Sequence, residues 1–206
     1  MKSLICLLIG YVLGSVSPSA LIAGARGMDL RREGTGNLGA TNSILVMGKK
    51  LGFLVMALDI FKSYLAAKIA QKLFAHFVLA GLLAALGAVI GHIYSMFLSF
   101  HGGKGVAALG GMMLFYKPGF FWLLIVVAIA LMLVTNLGVV GPVSAAVLFP
   151  VLVYFDSGSL SMTAVTAAAG LLILLSHREN IRKIRGGQEI LVNSFIRRVV
   201  LSNFHS

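Results

Sequence analysis

Apolar runs occupy about 3–24, 50–71, 75–95, 105–116, 119–137, 141–155 and 160–176 of a 206-residue chain. Nothing else in the sequence restricts the fold as strongly. A backbone in hydrocarbon finds no water to bond, so it crosses as a helix or within a closed barrel. Runs near the roughly 20 residues of a helical span predict helices. Charged residues make up 11% of the chain, 59% of it is hydrophobic, and its mean hydropathy is +0.98. Soluble domains carry about 25% charged residues. The expected fold is an all-α integral membrane protein, a compact seven-helix bundle with short or broken spans. The fourth and sixth runs are short, which predicts half-spans, tilted spans or helices buried in protein. Pro118, Pro142, residues 156–158 and Gly102-Gly103 punctuate the pattern. Residues 1–206 read as one polytopic domain with a basic cytoplasmic tail at 177–206.

The first run could pass for a signal peptide, with Lys2 ahead of it and Ala23-Gly24-Ala25 after it. The rest of the chain is equally apolar, so it reads as a retained helix. Cys6 is the only cysteine and lies inside that run, so there is no disulfide framework.

The net charge of +11 sits mainly in two segments. Arg26, Arg31, Arg32, Lys49 and Lys50 fall in the first loop, and Arg178, Arg182, Lys183, Arg185, Arg197 and Arg198 in the tail. Basic loops stay in the cytoplasm, against an anionic leaflet. That distribution points to membrane rather than nucleic acid. Seven spans then put the N-terminus outside, the C-terminus inside, and the Lys104 turn on the cytoplasmic face. No strong internal repeat supports a two-fold transporter, although the short segments leave that open.

Three clusters fall on that face. Residues 34–42 read Gly-Thr-Gly-Asn-Leu-Gly-Ala-Thr-Asn. Glycines let a loop curl its N–H groups around an anion, and Thr and Asn add donors. Thr41 or Asn42 could instead simply cap the next helix. The second cluster holds Gly91-His92 and Gly102-Gly103-Lys104-Gly105. It is no Walker loop, because Leu98 and Gly105 stand where glycine and a hydroxyl residue belong. A helix starting after Gly105 would aim its N-terminus at the Lys104 turn, which suits an anion. The alternative is a lysine snorkelling to headgroups, with His92 a satisfied interior histidine. The third cluster begins at His177, with Asn180 three residues on and arginines beside it. It could equally be a basic tail lying on anionic lipid.

Asp59 and Lys62 share one helix face, and buried charges are usually paired. They read as a structural ion pair. There is no Gly-x-Ser-x-Gly elbow, no metal-ligand spacing and no carboxylate pair in the cytoplasmic loops. Covalent hydrolase and metalloenzyme chemistry are therefore not indicated. A site that brings two anionic substrates together fits better.

Taken together, the clusters resemble the bacterial PlsY family, the acyl-phosphate-dependent glycerol-3-phosphate acyltransferases. The resemblance rests on Gly14-Ser15, the 34–42 loop, Asp59-x-x-Lys62, Gly91-His92, residues 100–107 and His177-Arg178-x-Asn180-Ile181, followed by Gly187 and Glu189. It implies transfer of a fatty acyl group from acyl-phosphate to the 1-position of glycerol 3-phosphate, giving lysophosphatidic acid. It implies no metal, no cofactor, and a multi-pass protein of the bacterial inner membrane with its active site on the cytoplasmic face. It also implies a partner in the enzyme that makes acyl-phosphate. By the same resemblance Lys104, His177 and Asn180 are catalytic. Thr35, Gly36, Asn37, Thr41, Asn42, Gly102, Gly103 and Gly105 hold phosphates. Asp59, Lys62, His92, Gly187 and Glu189 support the site.

The chain also departs from the family pattern. Leu45 stands where an arginine is usual, Val139-Val140-Gly141-Pro142 where two serines are usual, and Ser95 where a proline is usual. Thr35 replaces a serine. An anion contact of the lost kind is worth about 1.5–3 kcal/mol, roughly ten- to a hundredfold in affinity. Lys49, Lys50 and Ser144 are candidates to compensate. Two other functions therefore stay open: an acyltransferase with a different acceptor, and an anionic-lipid binding or transport protein.

Overall fold

The computed structural model describes residues 1–186 and 191–201, and Gly187 and Glu189 lie outside the described residues. The described chain is helical, with no strand. An isolated antiparallel bridge joins Leu137 and Leu191. The first apolar run is two helices, α1 (Lys2–Ser15) and α2 (Pro18–Gly24), broken where Pro18 has no N–H to continue the ladder. A loop and the short α3 (Ala40–Met47) lead to α4 (Lys49–Leu73). Next come α5 (Ala80–Ile93), a 3-10 turn at Met96–Leu98 and α6 (Val106–Tyr116). Then α7 (Pro118–Thr135), α8 (Val140–Ser157) and α9 (Leu160–Ser176) run back and forth, before α10 (Arg178–Arg185) and α11 (Val192–Leu201).

Among the described residues, four stretches are long and apolar enough to cross a membrane, or five if α9 and α10 count as one span bent by 52°. Two of the seven predicted runs fall out of that count for different reasons. The 25 residues of α4 carry Lys49, Lys50, Asp59, Lys62, Lys68 and Lys72. The 11 residues of α6 rise only about 16 Å. The sixth run corrects the expectation of a short segment. It forms α8, 18 residues long, because Pro142 sits in the first turn where no ladder bond is lost. The predicted span at 75–95 also shortens, since its helix starts at Ala80 after a turn from Phe74 to Phe77.

Successive helices alternate between two ends of the bundle. One end holds the 25–39 loop, the turn between α5 and α6, the turn at Asn136 and the start of α10. The other holds Tyr116, Lys117 and Asp156, where the tyrosine hydroxyl donates to the carboxylate at 3.0 Å and the lysine pairs with it.

Small residues set the packing. In lipid the apolar effect between helices vanishes, and association depends on close backbone approach. Gly10 and Gly14 of α1 face Ala84 and Ala88 of α5, and Gly87 and Gly91 of α5 face Leu7 and Tyr11 of α1. A Cβ at any of the four would overlap a carbonyl on the facing helix. This is a reciprocal pair of Gly-x-x-x-Gly faces. Gly111 of α6 on Ile60 of α4, and Gly170 of α9 on Ala146 of α8, repeat the device once each. The largest apolar cluster joins α5, α6, α8 and α9 through Val89, Leu109, Met112, Phe149, Val153 and Ile173.

Candidate active site

Broken helices at membrane depth need partners for their freed backbone groups. Here two breaks satisfy each other. The Ser95 hydroxyl, 1% exposed, donates to the Ser15 carbonyl at 2.6 Å, and the Ser15 hydroxyl accepts from the Met96 N–H at 3.4 Å. The Lys62 ammonium donates to the Val16 carbonyl at 2.7 Å. That ammonium also pairs with Asp59 at 2.7 Å, and His92 Nδ1 lies 3.2 Å from both. The cluster is buried, with Asp59 at 1% exposure. It ties α4, α5 and the α1–α2 break together beneath the turn that carries Lys104.

That turn is fixed from several sides. Gly102 donates its N–H to the Ile93 carbonyl at 2.9 Å, and Gly103 to the His92 carbonyl at 3.0 Å. The family resemblance implies that Gly102 and Gly103 hold phosphate; both of their N–H groups are already bonded within the protein. The glycines are required by proximity instead. A Cβ at Gly102 would overlap the His92 carbonyl, and one at Gly103 would overlap His92 Nε2 and sit 2.7 Å from the Leu38 carbonyl. Gly105 is the residue whose conformation matters, at φ +81°. It starts α6 with no side chain capping the helix, and a Cβ there would press on Ile93 and Ile173. The first turn of α6, with no side chain capping it, is therefore the part of this cluster whose geometry suits an anion.

The Ser176 hydroxyl donates either to the Lys104 carbonyl at 3.0 Å or to the Ile173 carbonyl at 2.8 Å. The Lys104 ammonium donates to the Asn180 side-chain oxygen. His177 caps the end of α9, is 5% exposed, and holds its Nδ1 2.8 Å from the Ile173 carbonyl. A carbonyl only accepts, so Nδ1 carries the proton, and Nε2 is left as the acceptor in the neutral ring. Lys104, His177 and Asn180, some seventy residues apart in sequence, thus meet where α6 begins and α9 ends.

The 34–42 loop abuts this turn through Leu38, which packs with Ala23, Leu30 and Leu98. Its residues divide into two roles. Asn42 is fully buried, and its amide is used up inside the loop. It accepts from the Thr35 N–H at 2.7 Å and donates to the carbonyls of Leu30 and Glu33 at 3.0 Å each. Asn42 therefore shapes the loop rather than holding a phosphate, and it does not cap α3, whose N-cap is Gly39. Thr35, Gly36 and Thr41 are exposed and Asn37 half-buried. Gly34 and Gly36 supply the left-handed turns, at φ +58° and +72°. Beside them Arg31 grips Asp29 through two bonds, of 2.9 and 3.0 Å. That contact holds the Asp29 carboxyl below the usual carboxylate range.

The tail returns to the same end. The Val192 N–H donates to the Asn136 carbonyl at 3.0 Å and the Asn193 N–H to the Asn136 side chain at 2.9 Å, while α11 packs on α3. Ser144, a candidate to compensate for lost donors, turns its hydroxyl back onto the Gly141 carbonyl at 2.8 Å. Sequence reasoning missed Ser176 and the structural use of Ser95. Their signal was a hydroxyl placed at the end of an apolar helix.

The family model described as glycerol-3-phosphate acyltransferase matches residues 4–187. The chain belongs to that family. A glycerol-3-phosphate acyltransferase of Geobacillus kaustophilus is 39% identical over 183 residues, covering 86% of this chain and 90% of the relative. One from Lactiplantibacillus plantarum is 38% identical over 200 residues, covering 94% and 93%. The crystal structure of PlsY (YgiH), an integral membrane glycerol 3-phosphate acyltransferase in its glycerol 3-phosphate form, superposes with a TM-score of 0.86. It is 31% identical and covers 93% of this chain and 96% of that one. A lysophosphatidic acid form of PlsY gives the same TM-score at 29% identity, covering 95% and 99%. As a member of this glycerol-3-phosphate acyltransferase family, the chain is a membrane acyltransferase of phospholipid biosynthesis.

Proposed function

We propose that the protein transfers a fatty acyl group from acyl-phosphate to the 1-position of glycerol 3-phosphate. The site would face the cytoplasm of a bacterial inner membrane, with the N-terminus outside and the tail inside. The observation that carries this reading is the meeting of Lys104, Asn180 and His177 at the uncapped start of α6. A cation and a helix N-terminus in one place suit a phosphate-bearing donor. The glycerol 3-phosphate and lysophosphatidic acid forms of the PlsY structure support the acceptor and the product.

In the reaction the acceptor hydroxyl oxygen attacks the acyl carbonyl carbon. The bond from that carbon to the phosphate oxygen breaks, and the departing phosphate takes the hydroxyl proton. Lys104 neutralises charge on the donor phosphate, and Asn180 fixes the ammonium. His177, held beside Lys104 at the end of α9, orients the acceptor. Thr35, Gly36 and Thr41, with the half-buried Asn37, form the rim for the acceptor phosphate. Catalysis is then proximity plus charge stabilisation, with no dedicated base. The enzyme that makes acyl-phosphate is the expected partner.

A second reading has a specific observation behind it. Leu45 offers no charge, and the Ser144 hydroxyl is committed to its own helix. A different hydroxyl acceptor would relieve the acceptor side of its missing donors. Purified protein with palmitoyl-phosphate and glycerol 3-phosphate tests both. Release of phosphate with lysophosphatidic acid, falling about 10²–10³-fold in Lys104→Ala and in His177→Ala, supports the first. Folded protein that turns over only with another hydroxyl compound supports the second.

A further inference from the structure

The outer face of the α9–α10 elbow carries a groove of about 320 Å³ lined by Leu174, Leu175, Arg178, Ile181 and Arg182. We propose that it binds an anionic phospholipid of the surrounding leaflet. The acyl chain lies along Leu174, Leu175 and Ile181, and the phosphate is held by Arg178 and Arg182.

The lining has the two chemistries such a lipid presents, apolar side chains and paired guanidinium groups. Leu175 is 51% exposed at the end of the last apolar span, and Ile181 is 37% exposed just beyond the bend. The two arginines stand one turn apart on α10, and their guanidinium forks suit phosphate oxygens. Among the described residues, no carboxylate pairs with either. At about 100° per residue, Arg178, Ile181 and Arg182 share one side of α10, and Asn180 points the opposite way. The groove is thus separate from the Lys104 site and lies behind it. A free phosphate would leave the apolar wall wet, whereas a lipid covers both halves. The 52° bend at His177 opens the groove, so an occupant braces the angle that delivers Asn180 to Lys104.

The test is lipid retention in nanodiscs, read by native mass spectrometry. Nanodiscs of phosphatidylcholine with phosphatidylglycerol are compared with phosphatidylcholine alone. Wild type is expected to keep one phosphatidylglycerol molecule in preference to phosphatidylcholine. The double variant Arg178→Gln/Arg182→Gln should lose that retention by tenfold or more. Lys183→Gln, on another side of α10, should keep it. Excess inorganic phosphate should not displace the lipid. Equal loss in Lys183→Gln would reduce the effect to diffuse attraction by a basic tail and overturn the proposal. Equal retention of phosphatidylcholine by wild type would also overturn it, independently of how any variant folds. Displacement by phosphate would mean an anion site without a lipid. A second readout rests on the acyltransfer reading: turnover should rise severalfold with phosphatidylglycerol content in wild type and not in the double variant. Retention without turnover would defeat the acyltransfer reading alone.

Discussion

Helices α5 and α7 are both strongly apolar, yet they occupy opposite places in the bundle. The stretch containing α5 has a mean hydropathy of 1.8 and is 61% buried; α7 has 2.5 and is 11% buried. The more apolar helix is the peripheral one. Lipid solvates Trp122, Val126 and Leu133 of α7 as well as protein would, so hydropathy cannot say which helix is central. What separates the two is the size of their residues. Helix α5 offers Gly87, Gly91 and a series of alanines, through which α1 comes to backbone contact. The bundle is organised where side chains are missing, and the site hangs from that contact.

The sharpest way to break this comparison is Gly91→Leu. A Cβ there overlaps the Tyr11 carbonyl, and helix backbone cannot give way as a side-chain tip can. We expect loss of folded, monodisperse protein, a destabilisation above about 4 kcal/mol. Detergent size-exclusion and thermal unfolding would show it. Recovery of native stability would mean that α1 and α5 are held by something other than close approach.

Lys62→Met is next. The substitution leaves Asp59 buried beside His92 and orphans the Val16 carbonyl at the α1–α2 break. Losing one partner of a buried pair costs about 3–5 kcal/mol. The double change Asp59→Leu/Lys62→Met should recover part of that stability. It should not restore turnover, because the Val16 carbonyl still lacks its donor and the turn above His92 loosens. A double variant with full activity would show that the buried pair does not position the site.

These two cases mark where the sequence was legible. Apolar runs announced a membrane bundle, and Asp59 and Lys62 announced their pairing, because charge in lipid leaves few options. Lys104 and Asn180 were also singled out, each from its own local pattern. The glycines were harder. Gly102 and Gly103 look like anion ligands in sequence, since a glycine that frees an N–H and one that admits a neighbouring backbone are spelled alike. Which role holds depends on the carbonyls of His92 and Ile93 across the turn. Asn42 misled for a related reason, because its three partners come from a fold of the loop that no spacing reveals. The Gly-x-x-x-Gly faces of α1 and α5 were visible in the letters but gain meaning only as a facing pair.

Asn42→Ala sharpens the distinction between shaping and binding. It leaves the Leu30 and Glu33 carbonyls and the Thr35 N–H without their partner, costing about 1–3 kcal/mol. With the Asn42 amide committed to the loop, we expect the KM for the acceptor to rise more than kcat falls. Thr41→Ala, at an exposed position, should change KM with little change in stability. An Asn42→Ala enzyme with native thermal stability and collapsed kcat would make the amide a direct ligand.

The smallest effect belongs to α7. Val126 is 64% exposed on that helix, so Val126→Leu exchanges one lipid-facing apolar surface for another. Thermal midpoint and turnover should both stay near wild type, with stability changed by less than about 0.5 kcal/mol. A leucine placed at Gly91 is instead expected to destroy the fold, which is the contrast between the two helices stated as an experiment. A marked loss at Val126 would mean that this face of α7 is covered by protein in the membrane, as a second copy would do. The peripheral helix would then be an interface, and its residue sizes would matter for the same reason that those of α5 do.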